Sequence, residues 1–157
     1  MKFPAHFENA LLPCLGKTHK LIHLYCNEKY KEGGIDLRSQ QAILLNIIAA
    51  NDGLVQNDLA FFTNRDKTTL TRLINSLETK DLVQRISSKS DKRKKKIFIT
   101  DEGRKMIDRI RPIIKNAMQD LESGVTEEEK EIVKKVLSKM RNNITENSSV
   151  VMPINFE

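Results

Sequence analysis

The sequence predicts a mainly α-helical protein with one small β-hairpin near the middle of the chain. Apolar residues recur at helical spacing in six segments. Two short β-type runs, LVQRIS at 82–87 and KIFIT at 96–100, flank a lysine-rich stretch. The 157 residues contain no internal repeat and no Pro/Gly-rich linker. These observations predict one continuous domain over residues 1–157.

The six helices have recognisable boundaries. They are predicted over residues 7–30, 38–50, 55–62, 66–79, 101–122 and 126–143. Asp66, Thr100 and Thr126 are predicted helix caps, because their short side chains can accept hydrogen bonds from the free backbone N–H groups of a first turn. Thr126 and Glu129 together match the capping-box pattern. Pro112 is expected to kink the fifth helix.

Composition argues against several classes of protein. No apolar run approaches the ~18 residues of a membrane span, and the N-terminus lacks the apolar core of a signal peptide, so a cytoplasmic location without membrane contact is expected. Cys14 and Cys26 are too few for a secreted disulfide framework. The chain has no phosphate-binding or dinucleotide-binding glycine pattern and no nucleophile motif around its histidines. We therefore expect no enzyme activity, no cofactor and no metal.

The positive charge of the chain is concentrated in one short window. Residues 85–96 hold seven basic residues and one acidic residue, an excess that equals the formal net charge of +6 for the whole chain. A charge focused in this way is typical of a contact with a polyanion. An exposed lysine-rich loop that only interacts with solvent is the alternative interpretation.

The fourth helix combines an apolar face with a polar N-terminal end. Leu70, Leu73, Ile74 and Leu77 share one face. Threonine can donate, accept or contact a thymine methyl group, and arginine can bind guanine through two hydrogen bonds, so such an end suits the major groove of DNA. A helix whose threonine face is merely solvated is the alternative. The residues predicted to contact DNA here are Arg65, Lys67, Thr68, Thr69, Thr71 and Arg72.

The lysine-rich stretch is predicted to form the tip of the hairpin. Strand pairing on both sides would hold several cations at a fixed place. We expect Arg93 to enter a minor groove and the lysines after it to face phosphates. Asp91 is interpreted as a brace that orients an arginine or closes the turn. The predicted DNA-site residues of the hairpin are Arg85, Asp91, Arg93, Lys94, Lys95 and Lys96.

Four blocks of sequence follow one another between residues 37 and 104: LRSQQAILLNIIAANDGLVQNDLA, DKTTLTRLINSLETKDLVQR, DKR and ITDEGR. In order and spacing they resemble the MarR family of winged helix-turn-helix regulators. The resemblance implies that Arg93 enters the minor groove and that the fourth helix reads the major groove. It also implies a homodimer and repression of nearby genes, relieved by a small ligand or an oxidant.

The chain departs from the family pattern at three positions. Val55 stands where a threonine or serine usually caps the third helix, and Arg38 replaces the usual threonine near the start of the second helix. Asp81 stands where a glycine usually precedes the first wing strand. Asp is a tolerable substitute because it adopts left-handed backbone geometry more readily than most residues.

Dimer formation is also expected from the apolar stripes of the first and last two helices, which the central unit is too small to bury. The chain would then divide into a winged helix-turn-helix part, 37–104, and a helical dimerisation part, 1–34 and 105–146. Twofold symmetry would place two reading helices about 34 Å apart on an inverted-repeat operator in double-stranded DNA. A monomer whose terminal helices close their own core is the alternative.

Two side signals leave other functions open. His19, His23 and Cys26 have i, i+4 and i+7 spacing, which could hold zinc or could simply form a polar helix face. Cys14 could sense an oxidant, or could be an inert residue on the apolar stripe. The alternatives to a sequence-specific repressor are therefore a metal- or redox-sensing regulator, an architectural protein that binds DNA non-specifically, and a metal- or redox-responsive protein whose basic loop binds an acidic protein.

Overall fold

The computed structural model describes residues 7, 10–63, 65–87 and 95–148. These form a mainly helical chain with a small antiparallel sheet, which confirms the predicted fold class. No helix among the described residues has the length and apolar content that crossing a membrane requires. The elements are α1 Leu11–Glu32, α2 Ser39–Ala50, β1 Leu54–Val55, α3 Gln56–Phe62, α4 Lys67–Thr79, β2 Val83–Ser87, β3 Lys95–Ile99, α5 Asp101–Leu121 and α6 Glu127–Asn147.

The sheet has three strands in the order β1-β3-β2, all antiparallel. The predicted β2–β3 hairpin is confirmed, with Val83 opposite Ile99 at its base. The strand β1 corrects the sequence-based assignment, which placed Val55 in a helix and predicted only two strands. Val55 instead pairs with Lys96. A strand of two residues is too short to show the alternation of apolar and polar residues that identifies a strand in a sequence. Its pairing partners in β3 lie about forty positions further along the chain.

The core lies between α2, α4, α5 and the sheet. Ile97 is fully buried at the centre of β3, where Leu54 and Arg85 are its neighbours on the two adjacent strands. Burial of a side chain of this size contributes about 1.5–3 kcal/mol. The other large side chains that are nearly or fully removed from solvent are Leu44, Leu45, Ile48, Leu59, Leu70, Ile74, Leu77, Leu82, Val83 and Ile110.

The predicted helix caps are confirmed. The Asp66 carboxylate accepts a hydrogen bond from the Thr69 backbone N–H, and the Thr100 hydroxyl accepts one from Gly103. Thr126 and Glu129 form the reciprocal capping box. These signals are local, so they could be read from neighbouring residues alone. Pro112 lies inside α5, which continues past it to Leu121. Helix α6 ends at Asn147, a few residues later than predicted.

The departures from the family pattern have visible local effects. Asp81 has φ +56, which confirms the expected left-handed turn before β2. Val55 precedes α3 without any side-chain cap. At the start of α2, the Arg38 backbone N–H donates to the Gln41 side chain over 2.7 Å. An arginine side chain has no acceptor, so it cannot supply the reciprocal cap that a threonine would.

Large apolar side chains remain exposed along α1, α5 and α6. None of the described residues of α6 is buried. Leu12 and Ile132 are more than half exposed, at 66% and 56%. The remaining exposed apolar residues of this surface are Leu11, Leu21, Ile22, Leu24, Met118, Leu121, Val125, Val133, Val136 and Ile144.

Gly103 provides a stability test of the contact between α5 and the start of the β2–β3 hairpin, which is called the wing from here on. A Cβ at Gly103 would lie 2.1 Å from the Leu82 carbonyl oxygen. We expect Gly103→Ala to lower the free energy of unfolding by about 2 kcal/mol, because backbone must move to admit the methyl group. Gly16→Ala is the matched control: its methyl group meets nothing within 4 Å. There we expect a gain of about 0.5 kcal/mol. Urea denaturation measures both, and equal effects would contradict the contact.

Candidate nucleic-acid interface

Helix α4 turns its polar N-terminal end outwards because its other face is held in the core. Leu70, Ile74 and Leu77 have no solvent exposure. At the N-terminal end of the helix, cationic and hydroxyl side chains are exposed to solvent, where a ligand can reach them. The exposed side chains here are those of Lys67, Thr68 and Arg72.

Thr69 has a capping role. Its backbone N–H donates to Asp66 Oδ1 over 2.8 Å, and its hydroxyl donates to Asp66 Oδ2 over 2.6 Å. These hydrogen bonds lower the pKa of the Asp66 carboxyl. The hydroxyl proton of Thr69 is therefore used within the cap, whereas Thr68 has no side-chain hydrogen bond within the described residues.

Arg85 is directed into the winged unit. Its side chain is only 14% exposed, and it forms an ion pair with Glu78 of α4. A second terminal nitrogen donates to Asn75 Oδ1 over 2.6 Å, and Nε donates to Gln56 Oε1 over 3.3 Å. Arg85 thus ties β2 to α3 and α4, and a direct DNA contact by its side chain stays a prediction. The sequence did not predict its partners Gln56, Asn75 and Glu78, because no spacing rule relates these three residues to Arg85.

The hairpin carries exposed cations at the described end of β3. Lys95 and Lys96 are both exposed, and Lys96 lies between Val55 and Ile86 in the sheet. Pairing on both sides fixes the backbone position of Lys96. The roles predicted for Asp91, Arg93 and Lys94 fall on residues outside the described part of the chain.

Arg65 lies beside α4 and faces the first helix. It is half-buried, and its Nε is enclosed without a hydrogen-bond partner among the described residues. Its charge helps to lower the pKa of His23. Of the two arginines that flank the N-terminal end of α4, Arg72 is therefore the exposed one.

Two histidines of α1 contact each other and α2. The two Nε2 atoms of His19 and His23 are 3.0 Å apart, and His23 Nδ1 is 2.7 Å from the Ser39 hydroxyl. Burial lowers the pKa of His23, with further contributions from His19 and Arg65. At least one of the facing Nε2 atoms must lack a proton for this contact to be a hydrogen bond.

These histidines border a groove of about 550 Å³ between α1, α2 and α4. Its lining includes the cations Lys20, Arg38 and Arg72 and no acidic residue. Arg72 therefore belongs to both the groove and the exposed end of α4. The groove was not predicted residue by residue, since it joins segments that are far apart in the sequence.

The two cysteines lie in different environments. Cys14, which the sequence placed on the apolar stripe of the first helix, is exposed, whereas Cys26 is a core residue. Burial raises the pKa of the Cys26 thiol, which makes it a poorer nucleophile. Cys26 does not join the two histidines: the described residues contain no group of three or more His, Cys, Asp or Glu side chains that could hold a metal ion.

Comparisons with known proteins agree with this arrangement. Residues 35–94 match the model of the MarR family. Over 136 residues the chain is 31% identical to the uncharacterized HTH-type transcriptional regulator YybA of Bacillus subtilis, covering 87% of this chain and 89% of YybA. The chain belongs to the MarR family. It is therefore a transcriptional regulator and not an enzyme.

Solved structures of MarR-type regulators share the fold. The S. aureus MepR–DNA complex is 27% identical with a TM-score of 0.76, and the match covers 91% of this chain and 100% of MepR. A MarR family regulator from Listeria monocytogenes complexed with 26mer DNA is 26% identical with a TM-score of 0.72. That match covers 94% of this chain and 92% of the Listeria chain.

The lowered pKa of His23 predicts that the stability of this MarR-family protein depends on pH. The unfolded chain binds the His23 proton more tightly than the native protein does. The resulting stabilisation is complete above the ordinary pKa of 6.5 and is lost as the pH falls from there through the lowered native value. We expect the urea midpoint to fall between pH 7.5 and 5.5, and to fall less in His23→Gln. His19→Gln is the control: it should keep most of the dependence, because burial is the largest cause of the shift. Identical pH profiles for wild type and His23→Gln would contradict the prediction.

Proposed function

We propose that the protein is a repressor that binds a short inverted-repeat operator as a homodimer. Helix α4 enters the major groove with its exposed N-terminal end, and the wing lies against the adjacent backbone. The outward placement of Lys67, Thr68 and Arg72 carries this proposal. The DNA named in the structures of MepR and the Listeria regulator supports it.

The wing completes the proposed DNA contact. Lys95 and Lys96, both exposed, would neutralise phosphates together with Lys94. Arg93 would enter the minor groove, with Asp91 as its brace. These last roles rest on the sequence pattern and the family resemblance.

Arg72→Ala tests the DNA-reading role of α4. We expect affinity for the operator, identified among retained genomic fragments, to fall about tenfold, because an arginine–guanine pair supplies about 1–3 kcal/mol of discrimination. Fluorescence anisotropy in fixed salt would measure this against unrelated DNA of equal length. Lys134→Ala, which removes one exposed charge from the side of α6 away from Ile132, is the control and should leave affinity unchanged. Equal wild-type affinity for all sequences would instead support an architectural DNA-binding protein.

The homodimer is proposed to form through the apolar surface of α1, α5 and α6. Residues 1–34 and 105–146 would then form the dimerisation part and residues 37–104 the DNA-binding part. The absence of any buried residue among the described positions of α6 supports this division, because a helix that buries nothing in its own chain gains little from folding there.

Ile132→Asp tests this dimer surface. A charge at this exposed apolar position of α6 should shift the protein from dimer to monomer and weaken operator binding together with dimerisation. Light scattering coupled to size-exclusion chromatography gives the mass. Ile43→Asp is the control, because Ile43 is 44% exposed on α2, outside the proposed surface. A monomeric wild type, or a dimeric Ile132→Asp variant, would contradict the proposal.

The proposed effector is an organic anion that occupies the groove between α1, α2 and α4. Lys20, Arg38 and Arg72 supply its positive charge, and an anion held there would take Arg72 away from DNA. The same anisotropy assay with added benzoate, and benzylamine as the cationic control, tests this release. An oxidant would act on the exposed Cys14 rather than on the buried Cys26.

A further inference from the structure

The first residue of α3, Gln56, lies between the wing and the reading helix. Its Nε2 donates to the Thr71 hydroxyl oxygen over 2.9 Å, and its Oε1 accepts from Arg85 Nε over 3.3 Å. Thr71 is half-buried on the flank of α4, next to the exposed Arg72. Gln56 is thus a link between a fixed cation and a hydroxyl at the edge of the proposed DNA contact.

The direction of the two hydrogen bonds follows from the chemistry of arginine. A guanidinium has donors and no acceptor, so the amide oxygen of Gln56 must face Arg85. The amide NH₂ then faces Thr71, and the threonine oxygen must accept. The usual uncertainty in the orientation of a glutamine amide is removed by this neighbour.

Arg85 is itself held in place by α4, so the group that orients the Gln56 side chain has a fixed position. The ion pair with Glu78 and the hydrogen bond to Asn75 position the guanidinium from α4. The Arg85 backbone N–H also donates to Glu78 Oε1 over 3.2 Å. Because the Arg85 side chain is only 14% exposed, its contact with Gln56 is largely protected from competition by water.

The Thr71 hydroxyl consequently keeps its proton for an outside partner. Thr79 and Thr63 donate their hydroxyl protons to backbone carbonyls four residues earlier, over 2.9 and 2.6 Å. Within the described residues, Thr71 makes no such bond. Its oxygen is occupied by Gln56, and its proton is available to an acceptor.

We propose that Gln56 is a positioning and specificity-determining residue for DNA reading, and that it makes Thr71 a hydrogen-bond donor. This inference rests on the proposed function of α4. A donor at this place selects acceptor edges in the major groove, which guanine, adenine and thymine have. Cytosine presents only a donor there, so it is disfavoured at the position that Thr71 contacts in each half-site.

Gln56→Glu tests the direction of the contact. A carboxylate keeps an acceptor for Arg85, but it also accepts from Thr71, which turns the threonine oxygen outwards as an acceptor. Wild type should disfavour cytosine at one operator position by about fivefold, the effect of one hydrogen bond. In Gln56→Glu this preference should vanish or invert at that position only. Competition binding with operators substituted singly at every position measures the preference as a ratio.

Three further variants separate this effect from charge and from folding. Gln84→Glu adds the same charge at an exposed position of β2, next to Arg85, and should weaken binding to all operators equally. Thr71→Val removes the hydroxyl at constant shape and should abolish the same preference. Gln56→Met removes both hydrogen bonds without adding charge and should also abolish it. Thermal unfolding confirms that each variant is folded. If Gln56→Glu is unstable, the positional preference of Gln56→Met tests the role of Gln56 instead.

The possible failures are distinguishable. A wild-type protein without preference at any operator position overturns the proposed sequence-specific function and this inference with it. A specific wild type whose positional profile is unchanged in Gln56→Glu and Gln56→Met overturns the role of Gln56 alone. A profile that changes in Thr71→Val but in neither Gln56 variant has the same meaning, because Thr71 would then act without positioning by Gln56.

Discussion

The burial of one face of α4 against α2 and the sheet is the constraint on which the rest of the structure depends. Leu70, Ile74 and Leu77 are fully enclosed, so the helix cannot rotate about its axis without exposing them. Fixing this rotation decides which side chains face outwards. The polar residues at the start of α4 therefore owe their presentation to the leucines and the isoleucine behind them.

Polar contacts on both flanks of α4 add to this constraint. On one side, Arg85 joins the wing to Asn75 and Glu78. On the other, the Gln41 side chain donates to the Ser76 hydroxyl over 2.6 Å and so connects α4 to α2. The apolar face thus sets the depth of the helix in the unit, while the hydrogen bonds define its lateral position. This division is typical of sites where accurate placement matters more than stability alone.

The sequence was sufficient for features that depend on near neighbours. The presence of each helix, the Asp66 cap and the left-handed Asp81 could be predicted because each is determined by nearby residues. It was insufficient where the partner is distant. The strand β1, the surroundings of Arg85 and the groove at Arg38 each require knowledge of which segments meet in space. The exposure of Cys14 and the burial of Cys26 could not be predicted for the same reason, since periodicity shows that a helix has two faces but not where each is covered.

The tight approach of Gly103 to Leu82 has a mechanical consequence. The Thr100 backbone N–H donates to the Leu82 carbonyl over 3.2 Å, and the Thr100 hydroxyl donates to the Asp81 carbonyl over 2.6 Å. At Gly103 the backbone of α5 lies directly against the backbone of Leu82, with only the Ile99 side chain beside the contact. We therefore expect the start of α5 and the base of the hairpin to move together, so that a change in the direction of α5 would displace the hairpin as well.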